Sequence, residues 1–126
     1  MNYILTTLAF FIGVLLPVQV GVNAELARHI NSSVLAALVS FLVGGMCLIL
    51  GAAVFKAPLP TFAQVVSLPA WLWGGGLIGA LVVLGSIVAG PKIGALALVS
   101  LLLAGQLVAS ILIDHYGWLG FNIQKM

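Results

Sequence analysis

Four stretches of the chain are apolar almost without interruption, at about residues 3–24, 34–55, 71–89 and 93–113, and none contains a charged side chain. Each is close to the roughly 20 residues that an α-helix needs to cross the hydrocarbon core of a bilayer. Apolar and polar positions do not alternate along them, as they would in the strands of a transmembrane barrel. The pattern predicts an all-α membrane protein, with four transmembrane helices forming a single transmembrane domain over residues 1–126.

The polar positions between the runs predict the connections. Glu25 to Ser33 reads as the end of one helix and the cap of the next, with Asn31, Ser32 and Ser33 as candidate N-caps. Lys56-Ala57-Pro58-Leu59-Pro60 cannot continue the second helix. Thr61 to Ser67 suits a turn or two in the interface. Trp71 and Trp73 fall where an aromatic belt is expected. Gly90-Pro91-Lys92 reads as a tight reversal, and residues 114–126 as an interfacial tail that reaches Lys125. Val22-Asn23-Ala24 has the small residues of a signal-cleavage site, but Met1-Asn2-Tyr3 lacks the positive charge that precedes one. Three more apolar runs follow, so the chain is membrane-embedded either way.

Composition narrows the function. The 126 residues are 5% charged and 63% hydrophobic, against about 25% and 45–50% in soluble domains. This excludes a soluble globular enzyme and a disordered tail. The net charge of +2 is spread along the chain, which excludes nucleic acid as a partner. The single Cys47 can form neither an internal disulfide nor a four-ligand metal site. No phosphate loop or nucleophile-and-base arrangement is visible, so no catalytic residue, metal or cofactor is expected. The expected partners are the lipid bilayer, a second copy of the chain and a small-molecule solute.

The placement of the few charges bears on assembly. Four spans put Lys56 and Lys125 on one side of the membrane and Arg28 and Lys92 on the other. An excess of Lys and Arg normally fixes the cytoplasmic side, and here there is no excess. Such a chain can insert either way up, although a tie among so few charges also arises by chance. Four helices are too few to surround a solute and alternate its access. Two inverted halves are a known solution, and a dual-topology chain supplies both. The expectation is an antiparallel homodimer of eight helices, with a parallel dimer as the alternative.

Polar residues inside the runs are the candidates for function, because the bilayer core offers them no water. Gln19 and Asn23 lie four apart and share a helix face. Pro17 crowds the carbonyl of Gly13, so a kink is expected there. Gln106, Ser110 and Asp114 recur every four residues as one stripe. Gln19, Asn23, Gln106 and Ser110 are the candidate substrate-binding residues. Asp114 and Glu25 are the candidate coupling residues, and His115 a weaker one. Interhelical hydrogen bonding is the competing role for the amides, and marking the water boundary is the competing role for Asp114 and His115. Gly75 and Gly79 form a GxxxG face and Gly76 pairs with Ala80; with Ser40 and Gly44 they predict close helix packing.

These residues resemble a known group. Pro17-Val18-Gln19 with Asn23 and Leu26 is similar to the first-helix signature of a small bacterial inner-membrane exporter family in the drug/metabolite transporter (EamA-like) superfamily. Val39-Ser40-Phe41 with Gly44 resembles its second helix, and Trp73-Gly74-Gly75-Gly76 with Gly79 its third. Pro91-Lys92-Ile93-Gly94 looks like the following turn. Gly105-Gln106, Ser110 and Asp114-His115-Tyr116-Gly117 resemble its fourth helix and exit. The resemblance implies a half-size unit in the bacterial inner membrane that works as an antiparallel pair. Most relatives continue into a fifth helix; four helices here are either a natural form or a truncation. The small multidrug exporters of the superfamily carry a proton on a glutamate within the first helix. Here Gln19 and Asn23 occupy that helix and Glu25 lies at its end, so proton-for-drug exchange is not implied. The expected function is a small-molecule transporter, an exporter, with an alternating-access site at the dimer midplane. The alternatives are a non-transporting assembly module and a passive channel.

Overall fold

The computed structural model describes residues 2–123. Helix α1 spans Tyr3–Ile30 and α2 Ser33–Val54. A short α3, Phe62–Val66, and a 3-10 turn, Ala70–Trp73, lead into α4, Gly74–Ile93. Helix α5 spans Ala95–Tyr116 and is followed by a second 3-10 turn, Trp118–Gly120. Among the described residues, four helical segments are long and apolar enough to cross a membrane: Tyr3–Ile30, Ser33–Val54, Ala70–Ile93 and Ala95–Tyr116.

The helix ends follow from local chemistry. The Asn2 side chain accepts from the Ile4 and Leu5 amides at 3.1 and 3.5 Å and starts α1. The helix passes through Pro17 without a break and ends at Asn31, in the left-handed conformation, whose N–H donates to the Ala27 carbonyl. It therefore runs about six residues beyond the expected boundary, because nothing between Glu25 and Ile30 interrupts it. Arg28 and His29 in its last turn favour the carbonyl end. Of the three candidate caps, Ser32 is the one used: its Oγ accepts from the Leu35 amide at 3.1 Å. A capping box between Thr61 and Gln64 starts α3.

Two expected boundaries are corrected. Gly90-Pro91-Lys92 is not the reversal, since α4 continues to Ile93. Pro91 removes only the hydrogen bond to the Ile87 carbonyl, a loss the last turn of a helix tolerates. The chain turns instead at Gly94, whose φ of 87° and ψ of 152° suit glycine alone. Asp114, His115 and Tyr116 do not begin the tail but complete α5, which Gly117 ends at φ 66°. The Tyr116 and Trp118 rings stack with centroids 5.1 Å apart where the helix stops. Lys125 lies outside the described residues.

Helices α1 and α4 form the centre: each meets α2 and α5, while α2 and α5 do not meet each other. The two-residue α1–α2 connection and the single Gly94 between α4 and α5 lie at the same end of this up-and-down bundle. Arg28 and Lys92 lie at that end and Lys56 at the other, as the sequence predicts. The residues at the core are Ala36, Ala37 and Ile87, backed by Leu26, Ala27, Val83 and Leu84. Asn23, Ser86, Gly90 and Leu98 are also buried. All seven buried positions lie within two helical turns, about 11 Å, of the end that carries Arg28 and Lys92. The bundle is thus closed at that end and more open toward the other.

Small residues permit this closure. A Cβ on Gly90 would stand 2.9 Å from Val20 Cγ1 and 3.5 Å from Leu98 Cδ2. Gly79 takes the Phe41 ring, which would be 3.6 Å from a Cβ there. Gly44, Gly75 and Gly76 have no neighbour within 4 Å of such a Cβ, so they do not pack helices together within this chain.

Candidate functional site

Just inside the closed end, α1, α4 and α5 border a small open groove of about 70 Å³. Helix α1 contributes Gln19 and Asn23, α4 Ser86, and α5 Gln106, among apolar walls that include Leu16, Val83 and Leu102. A mostly apolar concavity with a few convergent polar groups is the usual form of a small-molecule site. Asn23 sits one turn below Gln19 on the same face of α1. Gln106 reaches the groove from the middle of α5.

The amides are without partners. Asn23 is 5% exposed, yet among the described residues its side chain makes no hydrogen bond, and neither do those of Gln19 and Gln106. Among the described residues, the interhelical bonding that competes with a solute-binding role is therefore not used. Ser86 differs: its Oγ donates to the Val82 carbonyl of its own helix at 2.7 Å, which satisfies the hydroxyl proton and leaves oxygen lone pairs. Sequence reasoning passed over Ser86, a lone serine in a glycine-rich apolar run. Its four-residue spacing from Gly90 was the available signal, since that places it on the face of closest helix approach.

The other candidates lie elsewhere. Ser110 is exposed and does not line the groove. Gln19 also borders a second groove, with Ser40, Phe41, Gly44, Gly45 and Leu48 of α2. Glu25 lies at the closed end, where it pairs with Arg28 at 2.9 Å and lies 3.5 Å from His29 Nδ1. Asp114 is half-buried in the last turn of α5, at the opposite end. The structure brings neither carboxylate into the groove. Among the described residues no three His, Cys, Asp or Glu side chains come together to hold a metal ion.

Four long apolar helices, three of which line an uncharged polar groove, define a multi-pass, all-helical membrane protein. Residues 4–126 match the model of a drug/metabolite-transporter-type family described as "Putative inner membrane exporter, YdcZ", and the chain belongs to that family. The family and the four long apolar helices place it in the inner membrane as a multi-pass protein. No curated protein and no solved structure matches it.

Proposed function

We propose that the chain exports a small solute bound by Gln19, Asn23, Ser86 and Gln106. The observation that carries this reading is Asn23, a residue only 5% exposed that lines the groove and whose side chain makes no hydrogen bond among the described residues. Among the described residues no side-chain nitrogen or oxygen is both sealed from solvent and unbonded, so the Asn23 amide keeps access to the groove and is free to bond a solute or water there. Carboxamides donate and accept, and no charged side chain lines the groove. The solute class is neutral, zwitterionic or weakly charged.

The groove is open, so one chain does not enclose a solute. A second copy in inverted orientation supplies the missing wall and a matching access route from the opposite side, in an antiparallel homodimer. The balance of Arg28 and Lys92 against Lys56 and Lys125 supports insertion in both orientations. Ser110, one turn beyond Gln106 on the open side, would line the approach. Coupling, where an ion is used, falls to Asp114 or Glu25, which meet water at the two ends and do not touch the solute.

Reconstitution tests the reading. Proteoliposomes loaded with a mixture of labelled neutral and zwitterionic solutes should release a subset with saturable kinetics. Ion conductance without saturation would mark a channel, and no flux at all a non-transporting assembly module.

A further inference from the structure

The closed end of the bundle holds another open cavity, of about 350 Å³, formed by the last turns of α1 and α4 and the first turn of α2. Arg28, Lys92, Asn31 and Ser33 line it, above an apolar floor that includes Ala27 and Ile87. No carboxylate lines it. The one acidic neighbour, Glu25, takes Arg28 Nη1 at 2.9 Å. The guanidinium has five N–H donors, so that pair leaves most of them available. Lys92 is exposed and, among the described residues, has no carboxylate within 4 Å. Both cations also complement helix carbonyl ends, but the Ala27 carbonyl is already taken by the Asn31 and Ser32 amides and the Gly90 carbonyl by the Gly94 amide. Ser33 adds a hydroxyl and a first-turn amide, which has no acceptor within its own helix.

We infer that this cavity binds a phosphoryl group, the chemistry shared by anionic phospholipid headgroups and free phosphate. Two cations, a hydroxyl and an amide around one opening match an anion with several oxygens. The cavity lies at the level of the helix ends, where a spanning bundle meets the headgroups. Basic pockets between transmembrane helices are a known means of holding anionic headgroups. The apolar floor suits the glycerol and upper acyl region. The site lies outside the polar groove and does not depend on transport.

The test uses the full chain in neutral detergent, titrated separately with short-chain phosphatidylglycerol, short-chain phosphatidylcholine and inorganic phosphate. Binding is read by native mass spectrometry and by thermal melting. Phosphatidylglycerol should bind more tightly than phosphatidylcholine. Lys92→Gln and Arg28→Gln should each weaken binding about fivefold, while Lys56→Gln, at the other end, should not. Phosphatidylglycerol binding alone identifies a lipid headgroup as the source, and added phosphate binding identifies the free anion as sufficient. A ligand-free melt of Lys92→Gln matching that of the unaltered chain shows that the fold is intact. The inference is overturned if neither phosphatidylglycerol nor inorganic phosphate binds, or if binding is the same in Lys92→Gln as in the unaltered chain.

Discussion

Gly90 and Val20 mark the closest approach of α4 to α1: a β-carbon on Gly90 would stand 2.9 Å from Val20 Cγ1. The contact lies next to the core at the closed end and holds the two central helices together just below the polar groove. Overpacking a close contact costs about 1–3 kcal/mol, against a gain of up to about 1 kcal/mol from replacing glycine in a helix. Gly90→Val should therefore lower the melting temperature in detergent. Val20→Ala in the same chain should restore part of the loss, and a double-mutant cycle measures the coupling.

Gly94 makes the turn between α4 and α5 with a backbone that side chains disfavour. Gly94→Ala should cost about 1–3 kcal/mol, although no neighbour within 4 Å would touch the added methyl. Thermal unfolding in detergent checks this. A melt unchanged from the parent would mean that the reversal does not use this conformation.

Asn23 separates function from stability. Its amide forms no hydrogen bond among the described residues, so an apolar residue of similar size leaves no partner behind. Asn23→Leu should unfold no more readily than the parent, yet lose saturable flux. Parallel melting and flux assays on one preparation check both outcomes.

The charge balance gives an orientation test. Removing Lys92 leaves one Lys or Arg at the Arg28 end against two at the other, and removing Lys56 does the reverse. Lys92→Ala should bias the Lys56 end toward the cytoplasm, and Lys56→Ala should bias it away. Reporters fused to the C-terminus measure the split. The same single orientation in parent and both variants would contradict dual insertion.

Much of this fold was legible because hydropathy alone marks spans in a chain that cannot leave backbone groups unbonded in lipid. The reversals were less legible. Gly90 and Pro91 carry the signals of a helix stop, but a proline in a last turn frees a single carbonyl, so the helix ran on to Gly94. The site was legible where two residues share a face over one turn, as Gln19 and Asn23 do. It was less so along α5, where the same spacing carries the stripe along the helix toward the open end. Gln106 thus reaches the groove while Ser110 and Asp114 lie beyond it. Ser86 stayed hidden because a serine bonded to its own helix leaves no pattern among apolar neighbours.

The central claim, that the groove amides bind the exported solute, is tested most directly by comparing saturable flux in proteoliposomes of the parent chain and of Gln19→Ala combined with Gln106→Ala. Neither amide is bonded among the described residues, so the double variant should reconstitute and melt like the parent. Its flux should fall by at least about tenfold, the equivalent of about 1.4 kcal/mol of lost hydrogen bonding. Parent-level flux from a folded double variant would contradict the assignment of the groove as the solute site.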